Sequence, residues 1–279
     1  MRTSYLKFVL AAAMVLPAAA FAQNGQSPTA QAKTTSQSKP VLQAKASPAE
    51  SQAKPAAAQS FDPHDISGVY TLRQKAGFAL STDVPPMTPW AQAKYNANKP
   101  GIGPRAQPLG NDPMMICDPV GYPRILLYNA YPSEIVQIPG RIIQIFDYFD
   151  QHRIIWTDGR ALPTDPDPWF YGHAVGHWDG DTLVVDSLGY DDRAWLDADG
   201  HPHSDEMKLQ ERYHRTDKDT VEVNMTLTDP KAFTKPWVSE TKILKRAPAK
   251  TEIREDLCVT SDEEAYKDEM RAPAASSTK

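Results

Sequence analysis

Tyr171-Gly172-His173-Ala174-Val175-Gly176-His177-Trp178-Asp179-Gly180-Asp181-Thr182-Leu183-Val184-Val185-Asp186-Ser187 reads as two strands joined by a turn. Asp179-Gly180 is the dipeptide best suited to the positive φ angles of a two-residue hairpin. The same grammar extends to either side. Period-two runs fall at 66–72, 124–128, 134–138, 141–148, 152–157, 206–215, 220–228, 237–245 and 252–257. Phe149-Asp150-Gln151 and Asp217-Lys218-Asp219 supply further short polar reversals. Helical spacing is confined to 89–98, with Thr88 as N-cap, and 262–270, capped by Ser261 with Glu264 as its reciprocal partner. Strands joined by tight links without intervening helices predict a mainly β fold built as an antiparallel meander. A sheet this wide curls, and closure removes its edges. The expected form is a β-barrel with two short helices, and a two-sheet β-sandwich is the alternative.

The chain ahead of these strands is of another kind. Arg2 and Lys7 precede an apolar run over 8–16, and Ala20-Phe21-Ala22 supplies a small-x-small cleavage pattern. Residues 1–22 are expected to be a secretory signal peptide, which places the protein in the periplasm or outside the cell. Residues 23–60 are almost wholly Gln, Ala, Ser, Thr, Lys and Pro. Such a segment buries too little to offset its ordering entropy and is expected to be a disordered tether. That leaves 61–279 as a single barrel domain. No later stretch is apolar enough for a membrane helix.

Charge follows the same division. The chain carries −5. Arg2 and Lys7 contribute +2, and Lys33, Lys39, Lys45 and Lys54 against Glu50 contribute +3, which leaves −10 on the remainder. An acidic domain repels phosphate backbones and anionic lipid, so nucleic acid is not an expected partner. Two cysteines exclude a four-cysteine zinc site or an iron–sulfur cluster. In an oxidising compartment Cys117, before most of the strands, and Cys258, after them, are expected to form a disulfide.

Candidate chemistry gathers at 156–215. On 171–178, one face carries Tyr171, His173, Val175 and His177, and the other Gly172, Ala174, Gly176 and Trp178. Facing a barrel interior, the first face is a pocket floor; facing solvent, its imidazoles are incidental. Asp165-Pro166-Asp167-Pro168 is stiff and extended, and either presents Trp169 over a cavity or simply connects. In the long loop at 190–204, His201 and His203 are two apart and point the same way in extended chain. With Asp192 or Asp197 to orient them they suit acid–base work, because imidazole titrates near neutrality. With His173, His177 or Glu206 they suit a divalent metal. As plain structure, Asp199-Gly200 is a turn. The Gly101-Ile102-Gly103-Pro104-Arg105-Ala106 match to a dinucleotide fingerprint follows Lys99-Pro100 rather than a strand and is set aside.

Several of these elements together resemble a group of secreted bacterial proteins of unknown function. They are Cys117-Asp118-Pro119-Val120-Gly121-Tyr122-Pro123-Arg124, Trp156-Thr157-Asp158-Gly159-Arg160, the Asp-Pro loop, the hairpin at 178–187, Asp192-Arg193-Ala194-Trp195-Leu196-Asp197, His201-Pro202-His203-Ser204, the stretch 211–237 and the late Cys258. The match runs over about 115–260. His173 and His177 depart from that group's pattern, so the resemblance favours His201, His203, Asp192 and Arg193 as site residues. It implies a family and no reaction. The step Gly68-Val69-Tyr70 on the first strand resembles the Gly-x-Trp of lipocalins, which implies a lipocalin-like β-barrel.

The function expected from the sequence is binding of a small apolar or aromatic molecule in the barrel, walled by Trp156, Trp169, Trp195 and Tyr171 with His173 and His177. Any conversion would be cofactor-free and metal-free, with His201 or His203 as base, Asp192 orienting it and Arg193 stabilising developing negative charge. A non-catalytic carrier and an envelope interaction module are the alternatives.

Overall fold

The computed structural model describes residues 60–276. The expected signal peptide and nearly all of the expected tether lie outside them. Ten strands form one sheet: β1 (Gly68–Arg73), β2 (Ser133–Ile138), β3 (Arg141–Phe146), β4 (Gln151–Trp156), β5 (His173–Asp179), β6 (Thr182–Leu188), β7 (Lys208–Asp217), β8 (Thr220–Thr228), β9 (Trp237–Val238) and β10 (Lys242–Arg246). Each pairs with the next along the chain as far as β8, and β10 pairs with both β8 and β1, which closes the ring. Strands β9 and β10 occupy one position on β8, at Thr226–Leu227 and Thr220–Val223. Between them Ser239 keeps the ladder intact, its Oγ accepting from Met225 N at 2.9 Å. The result is a closed nine-stranded barrel with the next-neighbour strand order of a lipocalin.

Inward and outward positions alternate as the sequence pattern requires. On β7, Leu209, Glu211, Tyr213 and Arg215 are buried, and the residues between them are exposed. The interior is filled rather than hollow, with Tyr70, Ile135, Ile142, Phe146, Ile155, Leu183, Val223 and Leu244 among its contents. Arg246 of the last strand reaches back over the start of the first, its Nη2 donating to Ser67 O at 3.0 Å beside Gly68. A Cβ there would strike the Arg246 guanidinium, which lies 5.2 Å from the Tyr70 ring.

Helix α1 (Pro89–Ala97) forms where expected, with Thr88 Oγ1 accepting from Ala91 N. The C-terminal helical region is α2 (Thr260–Tyr266), a π-turn over Lys267–Arg271 and α3 (Ala272–Ser276). Its N-cap position is Val259, and Ser261 lies inside the helix with its hydroxyl 3.4 Å from Asp262 Oδ1. Three strand expectations change. Arg124–Leu127 is a 3₁₀ turn buried at every residue, so its apolar run reflects burial on all sides rather than a strand face. Residues 252–257 pair with no strand. Strand β5 runs parallel to β4, the one departure from an antiparallel meander. Cys117 and Cys258 form the disulfide, with 5.5 Å between their Cα atoms. No helix among the described residues is long and apolar enough to cross a membrane.

Candidate functional site

Parallel neighbours cannot be joined by a hairpin, so the chain between β4 and β5 must cross over. These two strands pair only at Ile155–Ala174 and Trp156–Val175. Continued backward, that register sets Arg153 opposite Gly172, where the ladder has already ended. The crossover at 157–172 bounds a cleft of about 730 Å3 beside this gap. Its walls are largely aromatic and aliphatic: Trp156, Trp169, Phe170 and Tyr171 with Leu162 and Val175.

The Asp-Pro segment leads into Trp169, whose backbone is held by residues that follow it in the chain. Trp169 N donates to Gly189 O at 2.9 Å, and its carbonyl accepts from Asp191 N at 3.0 Å and Gly172 N at 3.1 Å. The residue is 57% exposed, and its ring stacks on His173 at 4.1 Å. It is a fixed aromatic shelf. Gly172 is required next to it. Its φ is +62°, and a Cβ would stand 2.7 Å from the Tyr190 ring.

Two arginines sit at the cleft in the same local device. In Asp158-Gly159-Arg160, Arg160 Nε and Nη2 both donate to the Asp158 carboxylate, at 2.9 and 2.6 Å. In Asp191-Asp192-Arg193, Arg193 does the same to Asp191, at 3.0 and 2.8 Å. In both motifs the arginine backbone N–H also donates to that carboxylate, closing a short turn. These hydrogen bonds hold both carboxyls below the usual carboxylate range. Each guanidinium lies over a cleft aromatic: Arg160 at 3.6 Å from Trp156 and Arg193 at 4.7 Å from Phe170.

Arg153 borders the cleft through β4, and its side chain turns inward to a polar cluster in the core. Its Nη2 lies 2.7 Å from Glu211 Oε2, with both side chains essentially inaccessible. Tyr122 and Tyr213 both donate to Glu211 Oε1, the latter at 2.7 Å, and Gln144 Nε2 donates to Tyr213 OH at 2.9 Å. Ser187 Oγ joins Tyr190 OH at 2.6 Å and Arg153 Nη2 at 3.2 Å. Burial, reinforced by the Glu211 charge, pushes both the Tyr122 and Tyr213 hydroxyls far up, so they remain donors. Burial works against the Arg153 charge, and Glu211 more than offsets it.

The residues expected to form the site divide. Trp156, Trp169, Tyr171, His173 and Arg193 line the cleft; His177, Trp195, Asp192, His201 and His203 do not. His177 is exposed on the outer face of β5, because Ala174 takes the inward register. Trp195 is buried, 5.5 Å beneath Arg124. Asp192 pairs with Lys94 at 3.0 Å. His201 and His203 are packed into the core rather than gathered at a mouth. His201 Nδ1 donates to Asp197 Oδ2 at 2.7 Å, and its ring stacks on Tyr95 at 4.7 Å. His203 Nδ1 donates to Ser204 O at 3.0 Å, and burial lowers its pKa. Among the described residues no group of three or more His, Cys, Asp or Glu side chains is placed to hold a metal ion.

Sequence reasoning missed Arg153 and Glu211. The signal was present: Glu211 shares the buried parity of Leu209 and Tyr213, and Arg153 that of Ile155. A charge on the core parity of a strand marks a buried pair. No protein-family model, curated protein or solved structure matches this chain.

Proposed function

We infer that this chain is an exported binding protein for a small apolar or aromatic molecule, held in the cleft between β4 and β5 and related to the secreted group its motifs resemble. The observation that carries the reading is the cleft itself. Its volume of about 730 Å3 lies within the range of small-molecule sites. Its walls offer flat aromatic area on a backbone fixed by hydrogen bonds, so ordering a ligand there costs little protein entropy. The Cys117–Cys258 bridge supports an oxidising compartment. A carrier needs the cleft alone. The acid–base conversion is not part of this reading, because His201, His203 and Asp192 are engaged elsewhere.

The test is a fluorescence titration with N-phenyl-1-naphthylamine, a neutral aromatic dye that brightens out of water. Trp156→Ala and Trp169→Ala should each weaken binding by about tenfold, the loss typical of a central aromatic anchor. Ile116→Ala, an exposed apolar residue outside the cleft, should leave it unchanged. Dye affinity indifferent to both tryptophan variants overturns the reading.

A further inference from the structure

The cleft runs along a part of β4 that has no neighbouring strand. In an antiparallel pair, residues alternate between exchanging both backbone hydrogen bonds with the facing strand and turning both groups away from it. Thr157 N donates to Gly140 O at 2.9 Å, one step beyond the Trp156–Arg141 rung. Counting back by two, Ile155, Arg153 and Gln151 bond to β3, and Trp156, Ile154 and His152 turn their N–H and C=O groups toward β5. Strand β5 meets them only through the rungs at Ile155–Ala174 and Trp156–Val175. Gly172, which that register sets opposite Arg153, spends its N–H on Trp169 O at 3.1 Å instead. Among the described residues no backbone group pairs with the N–H or C=O of His152 on that side. Gln151, His152 and Ile154 line the cleft from one side and Tyr171, Gly172 and His173 from the other, so this open edge faces the cavity.

An unpaired sheet edge is a template for an extended chain. The N–H and C=O of His152 point the same way from the strand. A single residue of an antiparallel guest meets both, returning its own C=O and N–H. Side chains directly opposite in such a pair share a face. His152 is exposed on the outer face, which it shares with Trp156 on β4 and with His173 and Val175 on β5; Arg153, Ile155 and Ala174 take the buried positions between them. A guest side chain opposite His152 therefore lies on the face that carries Trp156 and the Trp169 ring stacked on His173. The charges at the rim are already balanced, Arg160 by Asp158 and Arg193 by Asp191. The guest needs an amide and an aromatic ring, and no charge.

We propose that the cleft binds an uncharged aromatic amino-acid unit, acylated at nitrogen and amidated at its carboxyl carbon, which is the chemistry of a residue inside a peptide. Its α N–H donates to His152 O, its C=O accepts from His152 N, and its ring lies against Trp169. This rests on the cleft being the binding site. The experiment is isothermal titration of the full chain with N-acetyl-2-naphthylalanine N-methylamide and two isomers that each carry one further methyl group. One isomer has it on the α nitrogen, whose N–H faces His152. The other has it on the C-terminal amide nitrogen, whose N–H points away in an extended chain. The first should bind about tenfold more weakly than the parent, the worth of one well-made hydrogen bond in a sheltered site, and the second should keep the parent's affinity. Equal affinity of the two isomers overturns the edge pairing and leaves the cleft reading standing. A larger loss for the second isomer also overturns it. A parent probe that does not bind, while N-phenyl-1-naphthylamine still depends on Trp156 and Trp169, overturns this proposal alone; dye affinity indifferent to both tryptophans overturns both.

Discussion

Glu211→Gln is the most informative single change to the core. It removes the charge facing Arg153 and keeps an amide of the same shape. The surviving neighbours of the guanidinium are Gln144 Oε1 at 3.4 Å, Ser187 Oγ at 3.2 Å and the Tyr122 ring at 3.9 Å. None carries a negative charge. Arg153 is 1% exposed at its side chain, so water does not replace the lost carboxylate. Stripping one partner from a fully buried ion pair costs about 3–5 kcal/mol. A unit the size of residues 60–276 unfolds with an entropy of roughly 0.45 kcal/mol/K at its midpoint, so Tm should fall by about 7–11 °C. Differential scanning calorimetry reads the shift, and denaturant slopes check that the transition is unchanged in kind. The double variant Arg153→Met/Glu211→Gln removes both charges and leaves Tyr122 and Tyr213 an amide acceptor. It should be more stable than Glu211→Gln alone, because no bare cation remains. A Glu211→Gln protein melting within about 2 °C of wild type, or a double variant whose loss equals the sum of the singles, refutes the argument.

Three other outcomes follow from the same geometry. Reducing the Cys117–Cys258 bridge, or replacing both cysteines with serine, frees a loop with a sequence separation of 141; the chain-entropy relation gives up to about 5 kcal/mol, read by denaturant titration with and without reductant. His203 is buried in its neutral form, so the unfolded chain binds a proton more readily than the folded one. Stability should therefore fall as pH drops below about 6.5, by at most about 1.4 kcal/mol per pH unit from this group. His203→Asn should flatten that part of the stability profile. Gly172→Ala must adopt a φ of +62° and pushes a methyl against Tyr190. It should cost about 2 kcal/mol or more and weaken N-phenyl-1-naphthylamine binding, while Gly180→Ala, with a similar φ and open space, should show only the backbone part of the stability loss.

The barrel was legible because alternation and turn chemistry are local. Asp179-Gly180 and Asp217-Lys218-Asp219 each close a hairpin that the structure contains. Arg124–Leu127 was not, since a run buried on every side carries no period to separate strand from 3₁₀ turn. Nor was the parallel step, because a crossover without a helix looks in sequence like any long loop. At the site, aromatic residues around the Asp-Pro segment pointed to the cleft, and Trp156, Trp169 and Tyr171 are there. The two loop histidines misled for a definite reason. Spacing of two fixes that His201 and His203 share a side in extended chain; it does not fix which side. Asp197, four residues before His201, folds the chain back on itself and turns that imidazole into the core.

The two-rung contact between β4 and β5 has a mechanical consequence. A closed barrel has no free edge at which to fray, so it must unzip along a seam, and the shortest seam gives first. Neighbouring seams hold six or seven register pairs each. The weak one borders the ligand cleft and the exposed Trp169. A guest bridging Trp156 on one strand and Val175 on the next would act as a clasp across it. Occupancy and resistance to unfolding are thereby tied to one short line of backbone, and amide exchange at Ala174 and Val175 would slow first as the cleft fills.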